Sequence, residues 1–477
     1  MAISMTCQSC HAVIRVNDGL AGKRARCPRC RTILAIPSAG ADDKARVGNS
    51  KLQLHDILQA FDGEIEPIQT TWIYRFGIVC VTVGMVLLPL TYVALVIGVI
   101  CGLCAYAVYG IVIVKNVHNI WGILLGYAGP LIAGAVLVFF MLKPLFAGRG
   151  ARSRTHELQH REAPLLFALV ARIAQAIGAP QPGRIELDCQ VNASASFGSV
   201  LGGFLGSDLV LTIGFPLLTE LTIQQFAGVI AHELGHFSQG AGMRWTYMIR
   251  SINNWFHRVV FERDQWDEAL VRNSEESDSR LALILLVARL FVFLTRCLLG
   301  LLMLIGHALS CVLLRQMEYG ADRFEARLAG SDTFAETSRR ISLASVAQQF
   351  AFVQLLQFSM KDRVPDDFPA LISESVQRLP AEQRRNLLQE LSESKTGLLD
   401  THPCFADRLA SARKENAPGV FHLDGAAGRL VEDLPKLSQA LTRSFYRDLF
   451  GKHLGMMAVM PLAGLRADHS QPSRSSL

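Results

Sequence analysis

Apolar residues are distributed along this chain in three ways: in long uncharged runs, at helical spacing, and in short runs bounded by glycine. Residues 76–114 contain no charged side chain, more than the roughly 20 residues that cross a bilayer as one straight helix. Pro89 interrupts the run, so it predicts either one long helix kinked there or two short spans forming a hairpin. A polar break at 115–119 and a second apolar run at 120–142, closed by Lys143 and Pro144, predict a further span. Residues 281–314 are again apolar but carry Arg289 and Arg296. A charge at mid-bilayer is costly, so this segment predicts a membrane-associated helix that lies obliquely or faces a cavity, with crossing left open.

The remaining stretches have shorter periods. Leu165, Leu166, Leu169, Val170, Ile173, Ala174 and Ile177 recur at helical spacing, and the pattern stops at Gly178 with Pro180 behind it. Two strand-like runs follow, 184–191 and 208–213, joined by the glycine-rich segment 198–206. Residues 216–221 lead into a helix with Phe226, Val229 and Ile230 on its apolar back. Residues 244–258 mix aromatic and basic side chains, as either an interfacial helix or one packed on the domain. The acidic segment 262–279 reads as an exposed loop, 330–447 is helical by periodicity, and the tail after Gly464 is polar. Near the front, 38–72 is a polar linker with a short helix around 52–61.

Composition agrees with membrane segments: half of the 477 residues are hydrophobic and 18% are charged, against about 25% in ordinary soluble domains. The net charge of +6 is too diffuse to argue for nucleic acid and suits an inner-leaflet surface. Lysine and arginine cluster before the 76–142 block and after it, at Arg149, Arg152, Arg154 and Arg161. By the positive-inside tendency both flanks are cytoplasmic and the number of crossings is even. The eleven cysteines form no secreted disulfide framework: five lie in apolar stretches, Cys189 and Cys404 stand alone, and four are paired at the front. No signal-peptide pattern opens the sequence.

Three constellations carry chemistry. Cys7, Cys10, Cys27 and Cys30 form two C-x-x-C knuckles whose spacing predicts a four-thiolate zinc site. A segment of 37 residues buries too little apolar surface to fold unaided, so the metal would supply much of its folding energy. The basic residues between the knuckles lack interleaved aromatics, which argues against nucleic acid and for a protein-docking or sensing module. His232-Glu-Leu-Gly-His236 is the second constellation. Residues i and i+4 share a helix face, so both imidazoles can address one metal ion, with Glu233 beside them as a base toward water. The third is Glu318 and Asp322, four residues apart at the end of the 281–314 helix. Glu318 supplies the carboxylate missing from a His2Glu site, and Asp322 can hold the outer N–H of a ligand imidazole.

With these elements located, the chain resembles the membrane-bound zinc metallopeptidases typified by HtpX and the CAAX prenyl proteases. The resemblance covers roughly residues 75–415 and rests on Leu142-Lys-Pro-Leu-Phe146, Val191-Asn-Ala-Ser-Ala195, Ala231-His-Glu-Leu-Gly-His236, Arg315-Gln-Met-Glu-Tyr-Gly-Ala-Asp322 and Thr401-His-Pro403 with Arg408. It implies zinc on His232, His236 and Glu318, with Glu233 as general base and Asp322 behind the ligands. It also implies Asn192 on an edge strand that receives substrate backbone, and His402 and Arg408 near the reacting carbonyl. A metzincin would need Gly at 239 and His at 242, where this chain has Gln239 and Gly242.

The expected fold is α+β and mainly helical: a gluzincin peptidase domain with a small sheet, transmembrane helices and an N-terminal zinc ribbon. The expected boundaries are 1–37 ribbon, 38–72 linker, 73–146 transmembrane helices, 150–447 peptidase domain including the membrane-associated helix 281–316, and 448–477 tail. The expected protein is a multi-pass zinc endopeptidase of an inner or plasma membrane, with ribbon and catalytic domain cytoplasmic and two zinc ions. It would act on protein or peptide substrates, in processing or quality control. The competing reading is a non-catalytic membrane scaffold with structural zinc sites, which Glu233 argues against. A transporter would need paired interior charges that the apolar spans lack.

Overall fold

In the computed structural model the described residues are 52–66, 68, 71–117, 119–146, 155–198, 208–238, 241–262 and 279–465, together with the backbone of four short strands before residue 36. The chain divides into two units, Met1–Asp56 and Ile57–Leu477.

In the first unit β1 (Ala2–Thr6) pairs antiparallel with β2 (Val13–Asn17), and β3 (Arg24–Arg26) with β4 (Ile33–Ala35). The sequence suggests two strands joined by a turn near Gly19. Instead each pairs with an outer neighbour across a short connection, where loop closure costs least. In sequence, each C-x-x-C pair falls within such a connection. Cys7, Cys10, Cys27 and Cys30 themselves lie outside the described residues.

The short helix expected around 52–61 is α1 (Leu54–Gln59). The first apolar run is one helix, α2 (Trp72–Tyr109), started by Thr71, whose hydroxyl accepts from the Tyr74 N–H. Pro89 lies inside it without ending it, a position that membrane helices tolerate because neighbours re-satisfy the freed backbone. After α3 (Ile111–Asn116) the second run forms α4 (Ile120–Ile123), a π-helical segment Leu124–Ala128 and α5 (Gly129–Leu142). One side of α2 buries Ile78, Met85, Leu88, Tyr92 and Val96, while Leu87, Leu90 and Ile97 are exposed on the other. A helix apolar all round belongs in a protein core or in lipid, and the exposed apolar side of α2 favours lipid. The Tyr92 hydroxyl donates to the Met141 carbonyl at 2.7 Å, which ties α2 to α5.

Beyond these helices the second unit continues with α6 (Pro164–Ile177), which ends at Gly178 with φ 68°, a left-handed cap that glycine accepts freely. Its sheet has the order β5-β6-β8-β7, from β5 (His156–Glu157), β6 (Arg184–Asp188), β7 (Ala193–Phe197) and β8 (Leu209–Gly214). β6 and β8 are parallel and the other pairs antiparallel. The run 184–191 therefore stops at Asp188, and an edge strand not separated by the sequence pattern follows it. Ala-Ser-Ala-Ser-Phe is too small and polar to announce a strand; pairing with β8 makes it one.

Helices complete the unit: α7 (Phe215–Glu220), α8 (Ile223–Gly235), α9 (Ala241–Phe261), α10 (Ser279–Ala329) and α11 (Ser331–Ser359). Beyond them lie α12 (Phe368–Arg378), α13 (Ala381–Glu393), α14 (Phe405–Glu415) and α15 (Leu434–Phe450). α10 is continuous for 51 residues, about 75 Å at 1.5 Å per residue, so it can leave a bilayer and still enter the core. Arg296 on α10 donates to the Glu262 carbonyl at 3.0 Å. The C-terminal boundary differs from the expected tail at 448: α15 runs to Phe450, and β10 (Ala458–Met460) pairs parallel with β9 (Arg363–Pro365). Ala458–Met460 find a strand partner far away in sequence, and a run of three apolar residues is too short to signal it. Among the described residues four helical stretches are long and apolar enough to cross a membrane: Trp72–Asn116, Ile120–Phe146, Val287–Ala329 and Ser331–Ser359. The fold is thus mainly helical with small sheets, as the patterning predicts.

Candidate active site

α8 begins where Thr222 and Gln225 form a reciprocal capping box. Its apolar back, Phe226 and Ile230, is fully buried. Two glycines seven residues apart let α10 approach closely. A Cβ on Gly228 would stand 3.0 Å from the Ala329 Cβ, and one on Gly235 would stand 2.8 Å from Phe324 Cδ2. This contact brings the stripe Glu318, Asp322 and Glu325 of α10 against the two histidines of α8.

Glu318 lies at the centre of the cluster. Its Oε2 is 3.5 Å from His232 Nε2, and its Oε1 is 3.7 Å from His236 Nε2. One donor atom from each of these three residues falls within 4.8 Å of the others, a spacing that one ion could bridge. The rings of His232 and His236 are nearly perpendicular, with centroids 5.0 Å apart. Behind the trio, His232 Nδ1 is 3.1 Å from Asp322 Oδ1 and 3.7 Å from Glu325 Oε2. Asp322 is held by Arg408, whose Nη2 donates at 2.6 Å and Nε at 3.0 Å. The donor set, two imidazoles and a carboxylate with the outer nitrogen of one imidazole beside a second carboxylate, fits a zinc ion.

Electrostatics separates the two histidines. Burial lowers the pKa of His232, but its contacts with Asp322 and Glu318 outweigh this and push it up to about 10. His236 is driven well below its ordinary value by burial, then by Arg250 and by His232. Burial raises Glu233, with His232 opposing and Glu318 reinforcing. A carboxylate raised by burial is a stronger base than one in water.

Glu233 opens on a cavity of about 260 Å³ lined also by Asn192, His232, Glu325, Phe405 and Arg408. Asn192 immediately precedes β7, the sheet edge, and its carbonyl accepts from the Gly214 N–H at 2.7 Å. Gly214 has to be glycine, because a Cβ there would lie 1.8 Å from the Gln190 carbonyl oxygen. His402 Nδ1 comes to 3.4 Å from Glu318 Oε1, with the imidazole largely exposed. Arg408 reaches the cavity wall, yet its guanidinium faces Asp322 rather than open space.

Two neighbours went unread in the sequence. Glu325 continues the Glu318–Asp322 stripe by one turn, so helical spacing could have found it. Arg250 donates to Glu318 Oε1 at 2.9 Å from α9; it shares a polar face with Asn253 and His257 that 244–258 shows only once its orientation is known. Arg250, His257, His307 and His402 line a further cavity of about 450 Å³ on the other flank of Glu318.

Residues 160–416 match the family model described as Peptidase family M48. No solved structure matches the chain.

Proposed function

The chain belongs to peptidase family M48, whose model matches more than half of it, and on that premise we propose that this membrane-associated metallopeptidase is a zinc endopeptidase with Glu233 as its general base. The observation that carries the reading is the convergence of His232, His236 and Glu318 at a cavity onto which Glu233 also opens.

In this reading His232, His236 and Glu318 hold the zinc. Bound there, zinc supplies a Lewis acid toward the scissile carbonyl and makes water acidic enough to give up a proton near neutral pH. A Glu233 carboxylate oxygen accepts that proton and returns it to the nitrogen of the leaving amine. Asp322 orients His232 through Nδ1, and Arg408 fixes Asp322; Arg408 thus acts by positioning. His402 can donate its N–H to the carbonyl oxygen as charge develops there. The edge of β7 next to Asn192, which has no further strand partner among the described residues, receives the substrate backbone as an added strand.

We further propose that Cys7, Cys10, Cys27 and Cys30 bind a second, structural zinc in a ribbon that docks a protein partner. The ribbon and the peptidase domain 150–447 share the cytoplasmic side of an inner or plasma membrane, with 38–72 as linker and 73–146 as membrane helices. The basic flanks support this, as do two stretches between Trp72 and Phe146 long enough to cross and return. Substrates are membrane or misfolded proteins, in processing or quality control.

The test measures zinc content beside cleavage of a casein-like substrate. Glu233→Gln should keep zinc and lose about 10²–10⁴-fold in rate. Cleavage at the unmodified rate would overturn the mechanism.

A further inference from the structure

A cavity of about 530 Å³ lies between α11, α13 and α14, next to the catalytic cleft. Phe405 is common to both cavities, so they adjoin through one side chain. The helix faces are interleaved as well. On α11, Ser338 and Ser342 line the cleft while Arg339 lines the second cavity; on α14, Arg408 faces the cleft and Arg413 the second cavity.

The lining has a single sign of charge. Arg339, Arg385 and Arg413 come from three different helices, and no aspartate or glutamate lines the cavity. Among the described residues none of these three guanidinium groups makes a side-chain hydrogen bond or ion pair. Other arginines on the same helices or packed against them do: Arg340 pairs with Glu336, Arg378 with Glu374, and Arg323 with Glu415. Three cations gathered at one concavity without a counter-charge repel one another and raise the local concentration of anions. Leu388 and Leu409 add apolar wall between them. α13 buries none of its residues, so this side of the cavity can adjust to an occupant at little packing cost.

We propose that this cavity is an accessory site for an acidic segment of the substrate polypeptide, whose carboxylates pair with Arg339, Arg385 and Arg413 while the adjoining residues enter the cleft past Phe405. The proposal rests on the peptidase reading. A polypeptide is favoured over a free anion because the site continues into the cleft and mixes guanidinium groups with leucine side chains. The shared wall at Phe405 would make occupancy of one cavity felt in the other.

The experiment measures binding without turnover. Two fluorescent peptides of equal length, one with a terminal run of three glutamates and one with glutamines, are titrated by anisotropy onto the full-length Glu233→Gln protein in detergent. The acidic peptide should bind about tenfold tighter at low salt, the sum expected of three exposed ion pairs, and the gap should close as ionic strength rises. Arg339→Gln, Arg385→Gln and Arg413→Gln combined should erase the gap, whereas the triple Arg→Lys variant should retain most of it. Equal affinities, or a gap that survives the triple glutamine variant, would overturn the accessory site. So would displacement of the acidic peptide by phosphatidylglycerol vesicles but not by its unlabelled copy, since the occupant would then be a lipid surface. Cleavage of the neutral peptide by the unmodified protein is followed in parallel: its absence would count against the peptidase reading, and peptide preference is read independently of it.

Discussion

The two halves of α10 reverse each other. Along the first, Leu290, Phe293, Leu301, Leu304 and Leu309 are exposed, and Val312 is 56% exposed. Along the second, Glu318 and Glu325 are buried and Asp322 is 0% exposed. One continuous helix thus shows its hydrophobic side chains to the outside and hides its carboxylates inside. In water both choices would cost free energy. They become favourable when the first half has lipid for solvent and the second has imidazole and guanidinium partners, as His232 and Arg408 provide. The lesson is that a residue's exposure in this protein has meaning only once its local solvent is named.

The strongest way to break the contrast is to take the buried charge from the second half. Glu318→Gln replaces an anionic donor by a neutral amide, so the active-site zinc and proteolysis should disappear together while the ribbon's ion stays; a variant that keeps the full wild-type zinc content by metal analysis would remove Glu318 from the ligand set. The converse change puts charge on the first half. Leu304→Lys should cost about 2.5–3.5 kcal/mol of insertion at mid-bilayer, or about 10²-fold in partitioning. Unchanged carbonate resistance and protease protection would show that this face does not meet lipid.

Asp322→Asn keeps shape and removes the charge behind His232. Zinc affinity should fall by about 10–100-fold, read by competition with a chelator, and an unaltered affinity would reduce Asp322 to a partner of Arg408 alone. The smallest effect is at the junction of α8 and α10. Gly228→Ala gains about 1 kcal/mol of helix propensity but loses about 1–3 kcal/mol to crowding against Ala329. The net is a loss of about 1 kcal/mol in denaturant unfolding, and a stabilised variant would mean that the helices are not in such close contact.

Reading depth differed with the range of the forces involved. His232, Glu233 and His236 were legible because a helix turns every 3.6 residues and puts i and i+4 together whatever surrounds them. The same local rule revealed Glu318 with Asp322, the cap at Gly178 and the apolar length of α2. It did not decide between a kinked helix and a hairpin at Pro89, since that depends on what packs around the freed backbone. Nor did it separate β7, whose strand character comes from the neighbouring β8.

What the chain determined alone, then, is which residue types could serve a metal and which segments prefer lipid, because both follow from composition and spacing within a few turns. The tertiary structure decided which of them meet. Gly228 and Gly235 let α10 settle on α8, so that Glu318 faces both Nε2 atoms. Arg408 turned toward Asp322 and Arg250 toward Glu318 because buried carboxylates demand cations at hydrogen-bond range. Arg339, Arg385 and Arg413, spread over three helices, became neighbours at one cavity only when those helices packed. Pairings of this kind are set by close approach between distant segments, and no local period encodes them.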